Sequence, residues 1–174
     1  MAAHVSQLFW DSCVFIAFLN DEHTAYDVGS IKQYLEEARD GKHVIYTSTI
    51  ALAEIRPSFI QGSKKHETFN DFSEDFKGAI VLVDASPNLM SLAGRLKDLP
   101  YKKANSKHRH LATGDAIMLA SCLHLANVNG VHVDHFHTFD DGKSAPRRRV
   151  SPMEEEYHPD SCRLIWKLTS GLVG

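Results

Sequence analysis

Four acidic residues, Asp11, Glu54, Asp115 and Asp140, sit at the edges of apolar segments rather than inside charged surface runs. Their contexts read LFWDSCVF, TIALAEIR, ATGDAIMLASCLHLA and HFHTFD. A carboxylate beside core-forming residues is costly to desolvate and calls for a hydrogen-bond donor, a counter-charge or a metal. Two like charges ~4 Å apart repel by roughly 4 kcal/mol at an effective dielectric of about 20, so four acids in one pocket must take up protons or hold a cation. Oxygen-only ligands, without Cys or His at matching spacing, suit a hard ion such as Mg²⁺ or Mn²⁺. Asp141, next to Asp140, is an alternative fourth ligand and otherwise a turn residue. A divalent ion so held generates hydroxide from water and offsets charge on a transferring phosphoryl group.

The cations point to the same class of substrate. Between residues 95 and 110, Arg95, Lys97, Lys102, Lys103, Lys107 and Arg109 face the single acid Asp98. A second group, Lys143 and Arg147 to Arg149, follows Asp140 and precedes the acidic run Glu154 to Glu156. Such runs are by default solvated loops. Their position beside two acidic motifs makes Lys102, Lys103, Lys107 and Arg109 candidates for holding a phosphate backbone. Ser12 can hydrogen-bond a substrate phosphate or an attacking water, or cap the helix that follows. Carboxylates, metal and flanking cations together read as phosphodiester hydrolysis.

The elements that must position these residues alternate. Gln7 to Trp10 is predicted as a buried strand ending at Asp11, and Val14 to Leu19 as either strand or helix. Ala25 to Arg39 carries an apolar stripe at helical spacing, with Gly41 just past its end. Val44 to Thr47 is a second strand. Ser48 or Thr49 then caps a helix over Ile50 to Ile55 that is disturbed near Pro57. His66 to Phe76 reads as a helix stopped at Gly78, and Ile80 to Val83 as a strand. Ser86 and Pro87 start a helix through Leu96. Thr113 is expected to cap a buried helix through Ala126. Val131 to Phe139 is the next strand, and Cys162 to Leu168 a terminal strand or helix. Strands alternating with helices indicate an α/β fold with a largely parallel sheet. Ligands of such sheets bind outside the carboxyl ends of the strands. Asp11 and Asp140 fall at those ends, and Asp115 falls in the first turn of its helix, where the macrodipole favours negative charge.

Bulk properties narrow the class further. The 174 residues suit a single domain spanning 1–174, and the 43% hydrophobic and 24% charged composition is ordinary for a globular protein. Net charge is only −3, so no global basicity advertises nucleic acid. Three cysteines without paired spacing argue against a disulfide scaffold. The opening MAAHVSQ has no basic segment followed by an apolar one, and no apolar run approaches the ~20 residues that cross a bilayer. A soluble, cytoplasmic protein with no membrane association is therefore expected.

Taken in order, the motifs resemble those of PIN-domain nucleases, particularly the VapC-type toxin ribonucleases. LFWDSCVFIAFLN supplies Asp11 and Ser12, STIALAEIRP supplies Glu54, and TGDAIMLASCLHLA supplies Asp115. FHTFDDG ends a strand near a Thr-x-Asp with Asp140 and Asp141. The resemblance covers a core of about 7–142, and 143–174 extend past it. It implies a three-layer α/β/α domain around a central, mostly parallel sheet. It also implies an endoribonuclease dependent on Mg²⁺ or Mn²⁺, with metal-activated water as nucleophile. Members commonly form homodimers, and toxin members pair with an antitoxin; RNA is the implied substrate.

Three other chemistries compete. Eleven histidines and the stretch Val131-His132-Val133-Asp134-His135 approach a metallo-hydrolase zinc pattern, but Gly130 stands where its first His would be. On a strand, His132 and Asp134 would also point away from the face of His135 and His137. A haloacid-dehalogenase-like phosphatase would use Asp11 as a covalent nucleophile, yet position 13 is Cys where a second Asp is wanted. A PIN-like fold serving only to bind RNA or a protein partner needs no turnover at all.

Overall fold

The computed structural model describes residues 5–60, 65–100 and 110–139. Four strands, β1 (Ser6–Trp10), β2 (His43–Ser48), β3 (Ile80–Val83) and β4 (His135–His137), form one sheet in the order β3-β2-β1-β4. Every pairing is parallel, with Leu8 opposite His135, Phe9 opposite Phe136 and Leu8 opposite Ile45. Among the described residues six helices connect these strands: α1 (Ser12–Leu19), α2 (Val28–Arg39), α3 (Ala51–Glu54), α4 (Phe69–Asp75), α5 (Pro87–Asp98) and α6 (Thr113–Val128).

Strand alternation divides the core in two. Leu8, Trp10 and Ile45 turn to one face, where they pack with Val14 and Phe15 of α1, Ile31 and Leu35 of α2, and Phe69 and Phe72 of α4. Phe9 turns to the other face, toward Leu89, Ala93 and Leu96 of α5 and Ala116, Ile117 and Met118 of α6. Phe9 and Phe136 stack there with ring centroids 5.4 Å apart. Trp10, Phe15, Phe69 and Phe72 are fully buried, and each such side chain contributes about 1.5–3 kcal/mol of transfer free energy. Burial on both faces explains why Leu8 to Trp10 of β1 reads as a continuous apolar run rather than an alternating one. The result is an α/β fold with an all-parallel sheet, compatible with three α/β/α layers.

Local signals were followed closely where capping chemistry governs them. Ser86 caps α5 by accepting from the Leu89 N–H at 3.3 Å, with Pro87 in its first turn. Gly41 lies beyond the end of α2 with a left-handed φ of 76°, a conformation glycine adopts without steric cost. Val14 to Leu19, open to either state in the sequence, is helix.

Five expectations change. The helix expected over Ile50 to Ile55 is the single turn α3; its N-cap is Ile50, with no side-chain cap. Ser48 instead turns inward, 2.8 Å from the Ser121 hydroxyl of α6. Thr113 does not cap α6; Ala112 occupies that position, and the Thr113 hydroxyl accepts from Lys97 Nζ at 2.8 Å. The helix expected from Ala25 begins at Val28, capped by Asp27, and the one expected from His66 begins at Phe69, capped by Thr68. Finally, the strand expected over Val131 to Phe139 shortens to β4. Asp134 exchanges two hydrogen bonds with the Gln7 backbone, and Thr138 turns its hydroxyl to Asp11. No described helix is long and apolar enough to cross a membrane.

Candidate active site

The strand order reverses at β1. From β1 the chain builds β2 and β3 on one side, then returns to lay β4 on the other. The carboxyl ends of β1 and β4 therefore border the topological switch point, where open α/β sheets carry their ligand crevice. Asp11 follows β1 directly, and its N–H donates to the His137 carbonyl of β4 at 3.0 Å.

Both carboxylate oxygens of Asp11 are held. Oδ1 accepts from the Ser12 N–H at 2.7 Å, which makes Asp11 the N-cap of α1. Oδ2 accepts from the Thr138 hydroxyl at 2.8 Å and from the Cys13 thiol at 3.3 Å. The Cys13 sulfur in turn accepts from the Phe139 N–H at 3.2 Å. Burial, and then the charge of Asp11, push the Cys13 thiol up to about 12, so it stays protonated and donates.

Glu54 arrives from the other side of β1. It is the last residue of α3, and its Oε2 accepts from the buried Ser12 hydroxyl at 2.6 Å. Ser12 thus bridges two acids, its N–H to Asp11 and its hydroxyl to Glu54. Partial burial raises the Glu54 carboxyl above its ordinary value; the Ser12 hydrogen bond opposes the rise, and the charges of Asp11 and Asp115 add to it. Asp115 lies in the first turn of α6 and is exposed, unlike the half-buried Asp11 and Glu54. The desolvation argument drawn from the sequence therefore applies to Glu54 and not to Asp115.

Asp11, Glu54 and Asp115 are thereby brought into one electrostatic neighbourhood from α1, α3 and α6. Among the described residues they do not close into a group of three or more His, Cys, Asp or Glu side chains with metal-holding geometry. Asp140, Asp141, Lys102, Lys103, Lys107 and Arg109 lie outside the described residues, as do Arg147 to Arg149, Glu154 to Glu156 and Cys162 to Leu168. Lys97, from the same basic segment, is described. Its link to Thr113 sets a cation beside the start of α6, two residues from Asp115.

Three histidines, His43, His135 and His137, gather beside Trp10 and Tyr34. His137 is packed among Trp10, Tyr34 and His135, with ring centroids 5.3–6.1 Å away. Burial, and then the neighbouring His135 and His43, push it down to about 4, so it is neutral at neutral pH. His132 lies 3.7 Å from Asp134, whose other oxygen is taken by the Gln7 N–H.

No model of a known protein family matches this chain, and a comparison with curated proteins finds no significant match. The geometry and the motif order carry the functional reading. Sequence reasoning assigned no role to Thr138 or to the Cys13 thiol. A hydroxyl two residues before Asp140, at a strand end, was the available signal for Thr138. Nothing local marked Cys13, whose apolar context reads as core.

Proposed function

We propose that this protein is a PIN-type endoribonuclease dependent on Mg²⁺ or Mn²⁺ that hydrolyses RNA phosphodiester bonds. One observation carries the reading: Ser12 bridges Asp11 and Glu54 at the switch point of a parallel sheet, and the Glu54 carboxylate lies against Gly114, the neighbour of Asp115. Crowded carboxylates of this kind suit a hard cation, because their oxygens are the ligands it prefers and its charge relieves their repulsion. Asp11, Glu54 and Asp115 would hold it, with Asp140 or Asp141 as the fourth acid. When bound, such an ion lowers the pKa of water and offsets the charge that develops on the phosphoryl group.

The chain's own residues do the remaining work. Ser12 and Thr138 lock the carboxylates of Glu54 and Asp11, so the acids orient the attacking water without reorganising. The water oxygen forms a bond to phosphorus as the bond to the leaving ribose oxygen breaks, the attacking water giving up a proton and the ribose oxygen taking one from solvent. Lys97, with Lys102, Lys103, Lys107 and Arg109, would hold the flanking phosphates. Both Asp11 oxygens already accept hydrogen bonds, which lowers their nucleophilicity and favours water over Asp11 as the attacking group. A homodimer, and pairing with an antitoxin or other protein, belong to the same reading and rest on the resemblance alone.

The test is cleavage of labelled single-stranded RNA with Mn²⁺ or Mg²⁺, run for the wild-type chain, the wild-type chain with EDTA, and Asp11→Ala. Activity should require both the metal and Asp11. Cleavage that survives Asp11→Ala would remove the proposed site from the reaction. Tight RNA binding without cleavage would replace the enzyme with a binding module.

A further inference from the structure

Gly114 occupies the second position of α6, between Thr113 and Asp115. Glycine there needs an explanation, because ordering a glycine costs more backbone entropy than ordering an alanine. Conformation does not supply one. Gly78, for comparison, has a φ of 90° that L side chains rarely adopt, and a Cβ added to it would meet open space. Gly114 has no such φ; its backbone is helical and accepts any L-residue.

Space explains it instead. A Cβ at Gly114 would stand 1.9 Å from Glu54 Oε1 and 3.1 Å from Glu54 Cδ. The first distance is far inside van der Waals contact, so an alanine and the present Glu54 carboxylate cannot coexist. The obstructing atoms are the far end of a flexible side chain. An alanine would therefore be accommodated by moving Glu54, while the backbone of α6 stays in place.

We infer that Gly114 is a positioning residue: the hydrogen it carries in place of a side chain leaves the seat in which the Glu54 carboxylate lies against the first turn of α6, one residue before Asp115. Ser12 holds Oε2 from the β1 side and the bare backbone of Gly114 admits Oε1 from the α6 side. The carboxylate is thus clamped between the two elements that carry Asp11 and Asp115. The inference deepens the proposed function and rests on it for the consequence to metal binding, although the seat itself rests on geometry alone.

The experiment compares the wild-type chain, Gly114→Ala, Glu54→Asp and the double variant by Mn²⁺ titration calorimetry and RNA cleavage. Thermal melts of these four, of Glu54→Ala and of Gly114→Ala/Glu54→Ala complete it. Gly114→Ala should fold and melt cooperatively yet bind Mn²⁺ at least about tenfold more weakly, the scale on which residues that orient metal ligands act. Aspartate is shorter by one methylene and withdraws from the seat, so adding Gly114→Ala to Glu54→Asp should cost little further affinity. In the melts, Gly114→Ala should raise the transition temperature more in the Glu54→Ala background than in the wild type, because only the wild type must evict a carboxylate. Unchanged Mn²⁺ affinity in Gly114→Ala, or equal melting shifts in both backgrounds, would overturn the inference. If the wild-type chain takes up no Mn²⁺ and cleaves nothing, the proposed function falls, and the melting comparison alone decides whether Gly114 seats Glu54.

Discussion

Asp11 and Glu54 stand on either side of the Ser12 bridge and are held in opposite ways. Asp11 receives an N–H, a hydroxyl and a thiol, and it caps a helix while its own N–H ties β1 to β4. Glu54 accepts a hydrogen bond from the Ser12 hydroxyl and is raised by two like charges, those of Asp11 and Asp115. One carboxylate is part of the fold's fastening; the other is kept in place against its own electrostatic preference. In the proposed cation site Asp11 would be the fixed anchor, and Glu54 the crowded partner whose repulsion a cation would relieve.

The two should therefore respond to substitution with opposite signs in the metal-free protein. Asp11→Ala has the larger expected effect. It removes the N-cap of α1, worth about 1–2 kcal/mol, and leaves the Thr138 hydroxyl and Cys13 thiol without their shared acceptor. Urea denaturation should show a lower midpoint at unchanged slope; an unaltered midpoint would mean that the Asp11 contacts do not anchor β4.

Glu54→Gln keeps a carbonyl acceptor for Ser12 and removes the crowded charge. In the folded chain the Glu54 carboxyl holds its proton to a higher pH than its ordinary value of 4.5. Between those two values the folded state binds more protons than the unfolded state, so stability falls as pH rises through that window. Glu54→Gln should thus be slightly more stable than wild type at neutral pH, by less than about 1 kcal/mol for a carboxyl still partly open to solvent. The difference should vanish once the pH drops well below 4.5, where the wild-type carboxyl is protonated in both states. A lower melting temperature at neutral pH would show that Glu54, like Asp11, is an anchor, and the contrast between them would disappear.

The smallest expected effect concerns Cys13, the thiol that belongs to the anchor side. A thiol pushed up to about 12 is almost wholly protonated at mildly alkaline pH, and it is the thiolate that reacts. Alkylation of Cys13 by iodoacetamide, followed by mass spectrometry, should be slow in the native chain and reach the rate of an ordinary cysteine on unfolding. Rapid native labelling would mean that the Asp11 cluster opens readily.

How much of this was legible in the residues depends on the range of the interaction. The strand at Ile80 to Val83 and the start of α5 at Ser86 and Pro87 were read to the residue, because a β-branched run and a Ser-Pro cap act on immediate neighbours. The length of β4 was misread: His132 and Val133 look like strand, but Asp134 and Thr138 spend their side chains on Gln7 and Asp11 across 127 positions. Thr113 was misread for a similar reason, its hydroxyl being taken by Lys97 of α5. Asp11 stood out as an acid after an apolar strand, whereas Gly114 did not, since nothing near it in sequence announces Glu54.

What the sequence by itself determined was the alternation of strands and helices and the placement of Asp11, Glu54 and Asp115 at the ends of apolar elements. Periodicity, caps and turns are set within a few residues, and these are the terms a single chain displays. Only the tertiary structure decided that β4 returns beside β1, that Ser12 reaches Glu54 across 42 positions, and that the carboxylate of Glu54 rests where Gly114 has no side chain. Those contacts follow from how two faces of a parallel sheet bury their aromatic and aliphatic side chains against separate helices. Such packing joins residues by volume and shape, which leave no periodic mark along the chain.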